Sequence, residues 1–366
     1  MLERRLRLVK PGNPRVALRA AVVVLAGWLP LALLTWVEGT LGEFLGDFGA
    51  HARFLIAAPL FVFAESACFP RLAWILHHFT ESGIVSPRDR GRFENCAAST
   101  MRILNSPLAE IGAVVCAYAL VWGLTLLLHP SILPRWQMLQ GSPGGWSLAG
   151  QWHVLVSLPL FVLLFLSWVW RQLLWGHLMF LVSRLPLQLI AAHPDGAGGL
   201  KFLNTALRGY WPLCFALAAA VAGGVANQLR HGTQLSDHWF VIPFVVALII
   251  VLFTAPFAAF APVLRRLKED GTFQYGALGL ALGRQFEAKW LKPGAGAGPD
   301  ILASEDFSSA TDLYQVVSNV HAVSYLPIEF AAVRELIIVA LAPFIPVVLF
   351  VVSVNALLEG IAKILL

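Results

Sequence analysis

The sequence predicts an all-α protein, a polytopic transmembrane helix bundle of about seven spans with a short helical segment outside the membrane. Three observations predict it. Of the 366 residues, 58% are hydrophobic and only 13% are charged, against about 25% charged in an ordinary soluble domain. The apolar residues come in blocks of span length, and mean hydropathy is +0.72. Lysine and arginine alternate between the gaps that separate the blocks.

The blocks lie near 17–37, 54–75, 108–128, 153–170, 210–228, 239–262 and 335–356. Roughly 20 apolar residues cross about 30 Å of hydrocarbon. They are expected to be helices, because a lone span must satisfy its backbone hydrogen bonds internally. The first block follows Arg4, Arg5, Arg7, Lys10 and Arg15. Its length exceeds the roughly 7–15 residues of a secretory apolar core, so it is read as a retained span. In the last block Pro343 and Pro346 threaten the helix ladder, which leaves a re-entrant segment open there.

Orientation follows from the basic residues, whose excess marks cytoplasmic loops. Residues 1–16 hold five, 70–107 five, 171–209 four and 263–334 seven. The intervening gaps and the C-terminal tail hold Arg53, Arg135, Arg230 and Lys363, one each. The expectation is a multi-pass membrane protein with its N-terminus in the cytoplasm. Net charge +5 is then mostly a topology signal, so the partners expected are membrane lipids and not nucleic acid. The chain divides into a six-span bundle over 1–262, a cytoplasmic helical segment over 263–334, and a final span with its tail over 335–366.

The cytoplasmic segment opens on the charged stop RRLKED, 265–270. A helix is expected over 275–291, with Gly279 and Gly283 at the GxxxG spacing that permits close helix packing. Homo-oligomerisation through that pair is one expectation, a helix without a partner the other. KPGAGAGPD, 292–300, reads as a flexible linker. Phe307, Ala310, Leu313, Tyr314, Val317 and Val320 then recur at helical spacing and form an apolar stripe, which is expected to lie on the membrane surface or the inner end of the bundle. No internal repeat stands out.

Catalytic motifs are scarce: the sequence has no Walker A, no GxSxG and no HExxH. Cys68, Cys96, Cys116 and Cys214 form no CxxC pair, so neither a disulfide framework nor a zinc site is expected. No cofactor and no metal are expected either. His77 and Glu81 share a helix face, but two ligands are too few for a metal site.

What remains is a set of polar residues in apolar surroundings. Glu65 has no charged neighbour between Phe54 and Arg71 and falls near mid-bilayer by helical rise. A charge there costs several kcal/mol unless it is paired, protonated or wet. Glu110 sits one turn into the third block, where a helix start also favours an acid. The stretch AAHPDGAGGLKFLN, 191–204, has turn chemistry. It also has Gly196, Gly198, Gly199 and Lys201 at a helix start, where free N–H groups can hold an anion. Glu65, Glu110, His193 and Asp195 are expected to line one cytoplasm-facing cleft, with Glu65 largely protonated.

The run RLPLQLIAAHPDGAGGLKFL, 184–203, resembles a family of uncharacterised bacterial inner-membrane proteins with a loop reading roughly RLPLxLxxxHPDxxGGLxFL. PLFVFAES at 59–66, HFTESGIV at 78–85, ILNSPLAE at 103–110, DLYQVVSNVHAVSYLPIEF at 312–330 and the closing residues 342–366 are similar to it too. The chain departs from the family pattern after Val316 and Val317, where Ser318, Asn319 and His321 replace basic residues. The resemblance implies the fold and brings no activity, cofactor or substrate. Three functional classes follow: passage of a small solute or ion, resting on Glu65 and the polar loop; a non-catalytic assembly subunit; and a membrane-embedded enzyme acting on lipid, using Glu110, His193 and Asp195.

Overall fold

The computed structural model describes residues 15–127, 133–139, 145–291 and 305–351. The basic cluster up to Lys10, the linker 292–300 and the tail beyond Val351 lie outside the described residues. Among the described residues the regular elements are helical, and the only strand-like pairing is an isolated bridge between Met138 and Trp146.

Among the described residues, seven helical stretches are long and apolar enough to cross a membrane: Val16–Val37, Phe48–Glu81, Pro107–Leu127, Leu148–Ser183, Trp211–Arg230, Ser236–Trp290 and Phe330–Leu349. This is the architecture of a multi-pass membrane protein. Their connections collect at two ends. Residues 82–106, 184–210, 261–291 and 305–329 gather at one, called here the basic end. Residues 38–47, 133–147 and 231–240 gather at the far end. Pro212 stands in the first turn of the fifth span, where its missing N–H has no intrahelical partner to lose; Pro59 and Pro159 instead lie inside the second and fourth spans, directly after π-helical turns. Pro343 neither leaves the last span straight nor turns it back: the helix Phe330–Leu341 passes through a 3₁₀ turn, Ala342–Phe344, and resumes at Ile345–Val351.

The structure corrects the reading that the chain lacks an internal repeat. The second and fourth spans run in the same sense and are built alike, 100 residues apart. Each begins with a side-chain N-cap, Asp47 accepting from the Ala50 N–H and Ser147 from the Gly150 N–H. Each continues through a short α-helix, Phe48–His51 or Leu148–Trp152, into a π-helical segment, Ala52–Ala57 or His153–Ser157. Each then becomes a long α-helix, Ala58–Glu81 or Leu158–Ser183. In this register Leu55 matches Leu155, PLFV at 59–62 matches PLFV at 159–162, Arg71 matches Arg171 and His77 matches His177. The equivalent Phe61 and Phe161 touch, with ring centroids 5.7 Å apart.

Two cores result. The larger runs through the second, fourth, fifth, sixth and seventh spans, with Phe61, Met179, Tyr210, Phe257 and Phe260 among its buried side chains. The smaller seals the far end with Leu31, Phe44, Ala50, Phe54, Trp136 and Ala149. The fifth span reaches the first π-helical segment through Gly223. A Cβ there would stand 2.3 Å from the Ala52 Cβ and 2.8 Å from the Phe48 carbonyl oxygen, whereas one on adjacent Gly224 meets nothing within 4 Å. Gly223→Ala is therefore expected to cost about 1–3 kcal/mol by overpacking. Gly224→Ala should be neutral or slightly stabilising, as alanine is the better helix former. Thermal midpoints of the two variants in the same detergent check this, and equal midpoints would refute the close approach.

The sixth span passes through a 3₁₀ segment, Ala255–Phe260, into Ala261–Trp290, and Glu305–His321 folds back along it. The apolar stripe therefore finds its partner within the chain. Phe307 packs on Phe286 and Trp290, and Lys289 pairs with Asp306. Gly279 faces Val317, and Gly283 faces the Tyr314 hydroxyl. The GxxxG pair thus admits this chain's own helix.

Candidate functional site

Glu65 is not alone. Its carboxylate lies between two guanidinium groups brought by two other spans: Arg19 Nη1 is 2.5 Å from Oε2 and Arg171 Nη2 is 2.8 Å from Oε1. The three side chains are 6%, 13% and 28% exposed in the order Arg19, Glu65, Arg171. Arg171 also stacks over Trp168 and Phe69, 5.0 and 5.4 Å from their ring centroids, which adds cation–π attraction where water is scarce.

Helical geometry explains the meeting. The second span is 34 residues long, more than a bilayer requires, so Glu65 need not lie at mid-bilayer. Its partner Arg19 is only three residues into the first span, about 4.5 Å along the axis. The triad thus belongs to the half of the bundle nearer the basic end. The expectation of a largely protonated Glu65 assumed a carboxyl with no partner, and two guanidiniums at contact distance remove that premise. Sequence reading passed over both arginines. Arg19 stands in an apolar block and could have been flagged as Glu65 was. Arg171 looked like the end of the fourth block because that helix was expected to stop at 170.

The 191–204 stretch is a self-contained latch. Asp195 accepts hydrogen bonds from three backbone N–H groups of its own loop: Ala197 at 2.8 Å and Gly199 at 3.1 Å on Oδ1, and Lys201 at 3.1 Å on Oδ2. His193 Nδ1 adds a contact at 2.8 Å. Gly196, Gly198 and Gly199 have φ of 64°, 65° and 98°, a left-handed region that favours glycine. The turn does cradle an anion, and that anion is the chain's own Asp195. Burial alone would raise the Asp195 pKa. The three N–H groups and His193 outweigh it and hold the carboxyl below its usual range.

The latch fastens the cytoplasm-expected segment to the bundle. The Ser324 N–H donates to the Gly196 carbonyl at 2.8 Å. Asn204 donates to the Pro327 carbonyl at 3.0 Å and accepts from the Glu329 N–H at 2.8 Å. Lys201 and Arg208 both face Glu329, and Arg208 also faces Glu335. Lys201 is thus turned to the seventh span. Lys268 donates to the Val323 carbonyl at 2.8 Å.

Glu65 and the His193–Asp195 pair accordingly have separate sets of partners. Glu110 is an exposed residue in the first turn of the third span. His77 Nε2 and Glu81 Oε1 are in exposed contact at 2.7 Å. Among the described residues, no three His, Cys, Asp or Glu side chains gather as metal ligands would. No family model, no curated protein and no solved structure matches the chain.

Proposed function

We propose that this chain is a bacterial inner-membrane protein, N-terminus in the cytoplasm, that passes a small anion across the bilayer. The observation that carries the proposal is the Arg19–Glu65–Arg171 triad. Three spans converge on it, and it sets two positive charges against one negative. Ionisable groups within spans face bundle interiors and mark ion and substrate routes, and arginines line anion-selective ones. The triad lies between duplicated spans that run in the same sense, an arrangement shared by transporters built from parallel repeats. That is an analogy of architecture. Beyond it Phe161 meets Phe54 edge-on at 6.4 Å and Phe61 at 5.7 Å between ring centroids, a cluster that would have to part for an anion to pass. The resemblance to the HPDxxGGLxFL family belongs to this proposal and adds no substrate.

The test is flux. The purified chain reconstituted in lipid vesicles, loaded with a halide-quenched dye, is expected to admit chloride or nitrate above the rate of protein-free vesicles. Arg171→Lys should slow entry about tenfold or more, since lysine cannot stack and fork as arginine does. Vesicles no more permeable than empty ones to chloride, nitrate, acetate and phosphate would overturn the proposal. They would favour a second reading, an assembly subunit, which the third span supports: only 11% of its apolar window is buried within the chain.

A further inference from the structure

At the far end, Arg53 and His153 occupy equivalent places in the two repeats, at the beginnings of the two π-helical segments. π-Helical turns are rare and recur at functional sites, because the wider turn re-aims side chains and loosens backbone pairing. Two at matched positions are a built feature. His153 is 4% exposed. Its ring lies edge-on to Phe54 and Trp136, with centroids 5.7 and 5.4 Å away.

The two side chains have something else in common. The Arg53 Nε and the His153 Nδ1 are both buried with no hydrogen-bond partner among the described residues. Phe54, the residue after Arg53, lies edge-on to the His153 ring, which makes Arg53 and His153 close neighbours. The Asp47 Oδ1 and the Arg53 Nη1 both lie beside Gly49, but the Asp47 oxygens are engaged by the Ala50 N–H at 2.9 Å and the Trp136 indole N–H at 3.0 Å. Asp47 forms no ion pair with Arg53 among the described residues. Arg53 as a whole is partly exposed, but a buried N–H without an acceptor, such as its Nε–H, is costly.

Neighbouring groups show what this end of the bundle takes. Glu38 accepts from the Leu148 N–H at 2.6 Å, at the start of the second repeat. Asp47 caps the start of the first. Each repeat's helix start is thus already matched to a carboxylate of the chain, and the buried Arg53 Nε–H below them is not. Exposed Arg230 stands at the rim, over the Phe48 ring.

We infer that Arg53 and His153 form a binding site for one small anion, of halide or formate size, held by the Arg53 Nε–H and the His153 Nδ1–H. The site lies at the end opposite the Arg19–Glu65–Arg171 triad. Arg53 and Glu65 are 12 residues apart on one helical stretch, which is about 18 Å. Binding here requires no passage: an anion held without flux would leave this site standing and the passage reading overturned.

The test uses bromide as the probe. Full-length protein in detergent is titrated with sodium bromide, with sodium gluconate holding ionic strength constant. A saturable rise in thermal midpoint is expected. Arg53→Gln and His153→Gln should each weaken half-saturation at least tenfold, and Arg208→Gln at the basic end should leave it unchanged. Crystals of the unmodified chain grown in bromide should show an anomalous peak in contact with both Arg53 and His153, which decides the matter even if the variants fail to fold. No saturable rise, an equal rise in Arg53→Gln, or water alone at the two side chains would overturn the site.

Discussion

Glu65→Gln is expected to lower stability by about 3–5 kcal/mol, the cost of breaking a buried ion set by removing one partner. Glutamine has almost the same shape, so packing survives. What is lost is the carboxylate that both Arg19 and Arg171 contact, two guanidiniums that are at most 28% exposed. Arg171 is partly relieved by Trp168 and Phe69, which places the expected loss toward the lower figure. The checks are the thermal midpoint in detergent and the folded fraction on a sizing column. A wild-type midpoint in Glu65→Gln would mean that water already screens the triad.

A companion variant separates stability from function. Replacing all three members with apolar residues, Arg19→Met with Glu65→Leu and Arg171→Met, removes the charges together. Such replacements are often neutral or stabilising by about 1–4 kcal/mol, because no ion is left to desolvate. The triple variant is therefore expected to recover the stability that Glu65→Gln loses. A triad that only specifies packing leaves flux unchanged in this variant, whereas one that handles anions loses it.

These variants also mark where the sequence was legible. Span-length apolar blocks announce themselves because lipid admits few other solutions, and Glu65 stood out for the same reason. Its partners did not. An ion pair across three spans depends on helix rotation and depth, which follow from packing and not from hydropathy. The span limits show the difficulty: the second block was read as 54–75, while the helical stretch runs Phe48–Glu81. The π-helical segments that carry it outward have no composition of their own. The repeat had one visible trace, PLFV at 59–62 and again at 159–162. Elsewhere the matches are scattered single residues, Leu55 with Leu155, Arg71 with Arg171 and His77 with His177, too sparse to stand out in one sequence. The HPDG turn was legible as a turn. That Asp195 would occupy its own nest was a matter of three-dimensional closure, which the pattern of glycines allows without requiring.

Asp195→Ala is expected to cost about 2–3 kcal/mol. It strands the N–H groups of Ala197, Gly199 and Lys201, and each donor left without an acceptor costs about 1–3 kcal/mol when buried. The Asp195 side chain is 16% exposed and its loop is partly so, which lets water recover some of the loss. The pH dependence identifies the cause. Hydrogen bonds to the charged form hold the Asp195 carboxyl below its usual range in the folded chain. Its contribution is therefore full above about pH 4, the value in an unfolded chain. It is lost as pH falls through the lower, folded value, because protonation then takes the acceptor away. Midpoints of wild type and Asp195→Asn should differ at pH 7 and converge below about pH 4. A gap that stays constant across that window would assign the loss to shape, and Asp195 would no longer be the anion in its own turn. Since Ser324 and Pro327 hang on the same latch through Gly196 and Asn204, the variant should also loosen the 322–329 segment. Hydrogen exchange at Ser324 and Glu329 should then rise before the spans themselves open.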